Sequence, residues 1–67
     1  MSVARVTEIT ASSSKSFEDA LHLGIKRASK TLKNMTGAWI QEQKVVVENG
    51  KVVQYRVNMK VTFVLEE

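Results

Sequence analysis

The clearest pattern of apolar and polar residues lies in the last third of the chain. From Val53 to Phe63, apolar residues at odd positions alternate with polar residues at even positions. Because successive side chains of a β-strand point to opposite faces, this alternation predicts a strand with one face toward a core. The apolar set, continued to the end of the strand, is Val53, Tyr55, Val57, Met59, Val61, Phe63 and Leu65.

An Asn-Gly pair precedes this strand in the stretch "VVVENGKVV". Between two valine-rich runs, Asn49-Gly50 predicts a two-residue hairpin turn of type I′, which needs positive φ at both central residues. The turn places Glu48 opposite Lys51 and thereby fixes the pairing of the two strands. An unbroken register then pairs Val46 with Val53, Lys44 with Tyr55, Gln43 with Arg56, Gln41 with Asn58, Ile40 with Met59, Trp39 with Lys60, Ala38 with Val61 and Gly37 with Thr62.

A helix is predicted to begin at Phe17, where apolar residues start to recur at steps of three and four. Ser16 suits the N-cap position, and Asp19 stands three residues later, as in a capping box. Acidic residues open the segment, and Lys30 and Lys33 stand near its end, as the helix dipole favours. Leu23 lies off the apolar stripe, which suits either a subunit contact or a surface position. The stripe comprises Phe17, Ala20, Leu21, Gly24, Ile25, Ala28, Leu32 and Met35.

The N-terminal stretch "VARVTEIT" is rich in β-branched residues and predicts a first strand from Val3 to Thr10. The serine cluster "ASSSKS" that follows is typical of a connection. The element order is therefore β-α-β-β in a single domain, residues 1–67. We predict an α+β fold in which one helix covers one side of a three-stranded antiparallel sheet and leaves the other side open.

The predicted register places Trp39, the only tryptophan, on the open side. An indole offers a flat surface for stacking, arginine can clamp a phosphate, and glycine inside a strand often marks the close approach of a ligand. A flat, aromatic, anionic ligand such as a phosphorylated flavin or a nucleotide would satisfy all three. Packing of Trp39 against a second subunit is the competing interpretation. The candidate binding residues are Trp39, Gly37, Gln41, Gln43, Arg56, Asn58 and Lys60.

The small size of the chain favours self-association. A domain of 67 residues buries only about 60% of its unfolded surface, and the absence of cysteine excludes disulfides. The N-terminus has no apolar run that would suit a signal peptide, and no segment approaches the length of a membrane span. We therefore expect a soluble, cytoplasmic protein.

The net charge of +3 permits an anionic partner but is also ordinary for a small domain. A nucleic-acid-binding sheet, with Trp39 stacking on a base, is a third interpretation. Only two cations, Arg56 and Lys60, share the predicted face of Trp39, so we expect no nucleic-acid partner.

Catalytic and metal-binding patterns are not found in the sequence. His22 and Glu18 stand at helix spacing i,i+4, which is typical of a solvated helix face. The carboxylates show no metal-loop spacing, and no nucleophile motif or phosphate loop is present, so we expect no enzyme activity and no metal site. The predicted register places Glu42 and Lys44 on the helix-packing side.

Several segments, in this order and at this length, resemble the dodecin family: "TEI", "SSKSFEDAL", "RASKTL", "VVQYRV" and "KVTFVLEE". The resemblance covers essentially the whole chain. It implies a hollow homododecamer that stores or sequesters riboflavin or FMN without turning over a substrate. Flavins would stack in pairs between tryptophans of twofold-related subunits, and some bacterial members are thought to hold coenzyme A near the threefold axes.

The sequence departs from the family pattern at the flavin site. The family tryptophan falls on Gly37, and Trp39 lies two residues further along the same face. The resemblance also implies a glutamine of the last strand that bonds the edge of the isoalloxazine ring, and its position here is occupied by Arg56. The glycine-containing irregularity of many family second strands is missing from "EQKVVVENG". We therefore weigh a flavin-binding shell against a homo-oligomer whose flavin site has closed and which holds an ion or another ligand.

Overall fold

A computed structural model describes residues 3–65 and contains one helix and three strands. The strands are β1 (Val3–Ser13), β2 (Met35–Glu48) and β3 (Lys51–Leu65), and the helix is α1 (Phe17–Ala28). They form one antiparallel sheet in the order β1-β3-β2, with α1 on one face. The predicted β-α-β-β architecture is confirmed. No helix within residues 3–65 is long and apolar enough to span a membrane.

The first strand is longer than predicted. It was expected to end at Thr10, yet it pairs with β3 without a break from Val3 opposite Leu65 to Ser13 opposite Tyr55. Half of the serine cluster is therefore strand rather than connection. The buried Ser13 hydroxyl donates a hydrogen bond to the Asp19 carboxylate and so ties the end of β1 to the first turn of the helix.

The helix begins where predicted but ends earlier. Ser16 caps its N-terminus, since its hydroxyl accepts a hydrogen bond from the backbone N–H of Asp19 at 3.0 Å. The helix ends at Ala28 with Ser29 as its C-cap, so Leu32 and Met35 lie beyond it. The predicted stripe was too long because Met35 packs on the same core from the start of β2.

The core lies between α1 and the central strand β3. Val57, Met59 and Val61 of β3 have no exposed surface, and Ala20 of the helix is equally buried. A Cβ atom on Gly24 would stand 2.8 Å from the Met59 methyl carbon and 2.9 Å from the Ala11 Cβ. This glycine therefore allows the helix to approach the sheet closely. The predicted alternation of β3 is confirmed at the core.

The predicted turn is confirmed at Asn49-Gly50. Both residues have positive φ, 52° and 74°, as a type I′ turn requires, and Glu48 lies opposite Lys51. The far end of the hairpin also has the predicted register, because Trp39 pairs with Lys60.

Between these two points the predicted register is wrong by one residue. An extra residue in β3, Val53, shifts the pairing, and an extra residue in β2, Gln41, restores it. Bulges of this kind leave one residue unpaired and reverse the faces of those that follow. Strand β2 therefore has an irregularity at Gln41, although the glycine found there in many family members is missing. The middle pairs are Val46 with Gln54, Val45 with Tyr55, Lys44 with Arg56, Gln43 with Val57 and Glu42 with Asn58.

Candidate functional site

The face of the sheet opposite α1 carries a row of three side chains around Trp39. Across the strands β2, β3 and β1, Trp39 lies beside Lys60, and Lys60 lies opposite Glu8. The indole is 49% exposed, and the Lys60 ammonium lies 5.9 Å from its ring centroid, within cation–π distance. The predicted orientation of Trp39, away from its own helix, is confirmed.

The next row is centred on Asn58, which lies between Thr10 and Glu42. The Asn58 side-chain nitrogen donates a hydrogen bond to the Glu8 carboxylate at 2.8 Å. The Asn58 side-chain oxygen is buried and accepts no hydrogen bond from residues 3–65. A buried acceptor without a donor is costly, so any donor that reaches this oxygen would stabilise it.

The third row places two cations side by side, since Lys44 lies directly opposite Arg56. Like charges opposite each other destabilise a sheet. Arg56 donates from Nε to the Gln54 side-chain oxygen at 3.0 Å, which leaves its remaining N–H groups available. A pocket of about 150 Å³ lies beside this row and is lined by Thr10, Glu42, Lys44, Arg56 and Asn58.

These three rows, which we call the open face, contain only part of the predicted site. Trp39, Arg56, Asn58 and Lys60 lie on it. Gly37, which pairs with Thr62, extends it by one row beyond Trp39. A Cβ atom on Gly37 would meet nothing within 4 Å, so the space above this glycine is free.

The predicted partners Gln41 and Gln43 do not pair on this face. Gln41 is the extra residue of the β2 bulge, and Gln43 lies opposite the buried Val57. The two residues that had been expected on the helix side, Glu42 and Lys44, take their places. The reason is the one-residue shift between the two bulges.

Strand β1 contributes residues that the sequence analysis left out. Glu8, Thr10 and Ser12 lie opposite Lys60, Asn58 and Arg56. The sequence contains the pattern that would have identified them, because these polar residues alternate with Ile9 and Ala11, which pack on the core. Pairing that alternation with β3 would have placed them on the open face.

Other candidate features lie away from the open face. The His22 and Glu18 side chains are 3.7 Å apart and both are strongly exposed. Residues 3–65 contain no group of three or more His, Asp or Glu side chains that would hold a metal ion. A groove of about 600 Å³ runs between β1 and α1 and includes Leu23 and Arg27.

Comparison with known proteins identifies the family. The dodecin family model matches residues 3–66. The chain belongs to the dodecin family. None of the curated proteins is similar enough in sequence to count as a relative of this dodecin.

Solved structures agree with this assignment. Dodecin from Streptomyces davaonensis is 35% identical, with a TM-score of 0.94 over 98% of this chain and 97% of that one. Dodecin from Streptomyces coelicolor is 30% identical, with the same TM-score over 98% and 94% of the two chains. A calcium dodecin from Mycobacterium tuberculosis is 29% identical, with a TM-score of 0.83 over 96% and 91%; its structure is described as having a novel calcium-binding site.

Proposed function

We propose that this dodecin is a non-catalytic homo-oligomer that binds a flavin, riboflavin or FMN, on its open face. Flavin binding is a general property of the family. The observation that carries the proposal is the half-exposed Trp39, which lies on a bare sheet face beside cationic and amide side chains. An exposed indole of this kind offers a stacking surface for a flat ring.

Polar groups near Trp39 suit the edge of a flavin ring. The pyrimidine edge of a flavin presents an N–H donor between two carbonyl acceptors. The buried Asn58 oxygen is free to accept from the donor, and Lys44 and Arg56 can donate to the carbonyls. The pocket that these three residues line with Glu42 and Thr10 is the place on this face where such an edge would fit.

The proposal replaces part of the predicted ligand set. Trp39, Gly37, Arg56, Asn58 and Lys60 remain proposed binding residues. Glu42 and Lys44 take the positions that were predicted for Gln41 and Gln43, because they face the same side as Asn58 and Arg56.

Self-assembly is supported by apolar side chains that the single chain leaves exposed. They are found at the tip of the hairpin and on the outer side of the helix. Isolated apolar side chains on a surface are ordinary, but this chain has little core and gains stability from covering them. The main examples are Val45, Val47, Val52, Val53 and Leu23. The dodecameric, cytoplasmic shell implied by the family resemblance is part of this proposal.

The test is a titration of riboflavin and FMN with micromolar protein while flavin fluorescence is followed. The wild-type protein should quench both flavins, and Trp39→Ala should abolish quenching because the stacking surface is gone. His22→Ala is the matched control, since the His22 side chain is strongly exposed but lies on the helix, away from the open face. The proposal fails if the wild-type protein quenches neither flavin, or if Trp39→Ala quenches as strongly as wild type.

The exposure of Trp39 also favours a second candidate, in which the flavin site is closed and the indole is a subunit contact. The protein would then be a structural or ion-holding assembly. Under this candidate, Trp39→Ala should reduce the size of the oligomer in size-exclusion chromatography, whatever ligand is added. An intact oligomer after the substitution would exclude it.

A further inference from the structure

The contact between the Lys60 ammonium and the Trp39 indole bears on which ligands the site prefers. The Lys60 ammonium lies 5.9 Å from the indole centroid, so it is attracted by the same ring surface that a flat ligand would use. A ligand that stacks on this surface must displace the ammonium. The free energy of binding therefore depends on which group the displaced ammonium interacts with in the complex.

The carboxylate opposite Lys60 already accepts a hydrogen bond. Glu8 lies opposite Lys60 on β1, but its side chain accepts the hydrogen bond from Asn58. No carboxylate of residues 3–65 is within ion-pair distance of Lys60. Once displaced from the indole, the Lys60 ammonium therefore interacts only with water, unless the ligand itself carries an anionic group.

The net charge of the open face also favours an anionic ligand. Its three cations, Lys44, Arg56 and Lys60, outnumber its two carboxylates, Glu8 and Glu42, by one. A ligand with an anionic substituent would offset this excess of positive charge. A neutral ring of the same shape would not.

We infer that Lys60 is a specificity-determining residue of this site: it covers Trp39 in the free protein and pairs with the anionic group of the ligand in the complex. The site then prefers a flat aromatic ring that carries a phosphate or carboxylate over the same ring without one. This inference rests on the proposed flavin site and adds the chemical class of its preferred ligand.

The experiment compares riboflavin with FMN, two probes that share one ring and differ in a phosphate. At low salt the wild-type protein should bind FMN roughly three- to fivefold more tightly than riboflavin, the size expected of one partly exposed ion pair. The ratio should fall as salt is added, because exposed charges are screened. Lys60→Met, which keeps the aliphatic stem but removes the charge, should bring the ratio close to one.

Two further variants control for charge and folding. Lys51→Met makes the same change in net charge at the hairpin turn, opposite Glu48, and should leave the ratio at its wild-type value. Lys60→Arg keeps the charge and should keep the preference. Circular dichroism spectra that match wild type would show that each variant is folded.

The outcomes separate this inference from the function on which it rests. If wild type quenches neither flavin, the proposed flavin site fails. If both flavins are quenched through Trp39 but the ratio is one, or is unchanged by Lys60→Met, the role of Lys60 alone is overturned. A ratio that is lost in Lys44→Met and kept in Lys60→Met would also overturn it, because the anion would then lie at the other end of the open face.

Discussion

The two faces of strand β3 are made from alternate residues of one segment, yet one face packs on the helix and the other does not. Val57, Met59 and Val61 point toward the helix and are fully buried. Arg56, Asn58 and Lys60 point away from the helix, and no helix or strand of residues 3–65 packs over them. The first face supplies most of the buried apolar surface of the domain. The second is free of packing demands, so its residues are available for a ligand or a partner.

The largest expected effect comes from shortening the core residue at the centre of the covered face. Met59→Ala should lower the free energy of unfolding by about 2–5 kcal/mol, because it removes buried methylene contacts and leaves a cavity. Lys60→Ala, one residue further along on the other face, should change it by less than about 0.5 kcal/mol. Urea unfolding at a fixed protein concentration would measure both, since assembly contributes to apparent stability. Equal losses would show that the open face is packed as tightly as the core.

A smaller effect is expected from a matched pair of glycine substitutions. In Gly24→Ala the new methyl group would overlap with Met59 and the rigid Ala11 Cβ. Such overpacking costs about 1–3 kcal/mol, whereas the gain in helix propensity is about 1 kcal/mol. We therefore expect a net loss of roughly 1 kcal/mol on thermal or urea unfolding.

Gly37→Ala provides the control on the open face. The added methyl group would meet nothing within 4 Å, and the unfolded chain would lose conformational freedom. Stability should be unchanged or should rise by a few tenths of a kcal/mol. A loss as large as that of Gly24→Ala would contradict the free space above Gly37.

Only a small effect on the fold is expected from the residue that matters most for binding. Trp39→Ala should lower the stability of the folded chain by less than about 1 kcal/mol, because half of the indole is exposed and it lies outside the core cluster. The same substitution should abolish flavin quenching. A large loss of stability together with a smaller oligomer would instead identify Trp39 as a subunit contact.

Features of the sequence that act locally predicted most of the fold. The Asn49-Gly50 turn, the Ser16 cap and the alternation around Met59 each depend on neighbouring residues, and the structure has all three. The helix end was not predicted, since Met35 continues the apolar spacing from a strand that packs on the same core.

The middle of the hairpin was predicted wrongly for a different reason. The segments that flank the turn are runs of valine, "VVV" and "VV", so a shift of one residue leaves the apolar pattern unchanged. Register is weakly specified where the pattern does not distinguish the two faces. The bulges at Val53 and Gln41 cancel each other, so the position of Trp39 was predicted correctly while those of Gln43, Glu42 and Lys44 were reversed.

The most direct test of the binding face is a map of NMR shift changes on addition of FMN. We expect the largest changes at the Trp39 indole N–H, the Asn58 side-chain amide and the Arg56 Nε–H, whereas the Met59 methyl signal should stay in place. Changes at Ile9, Leu23 and Arg27 with an unmoved indole signal would contradict the account. They would place the ligand in the groove between β1 and α1 instead.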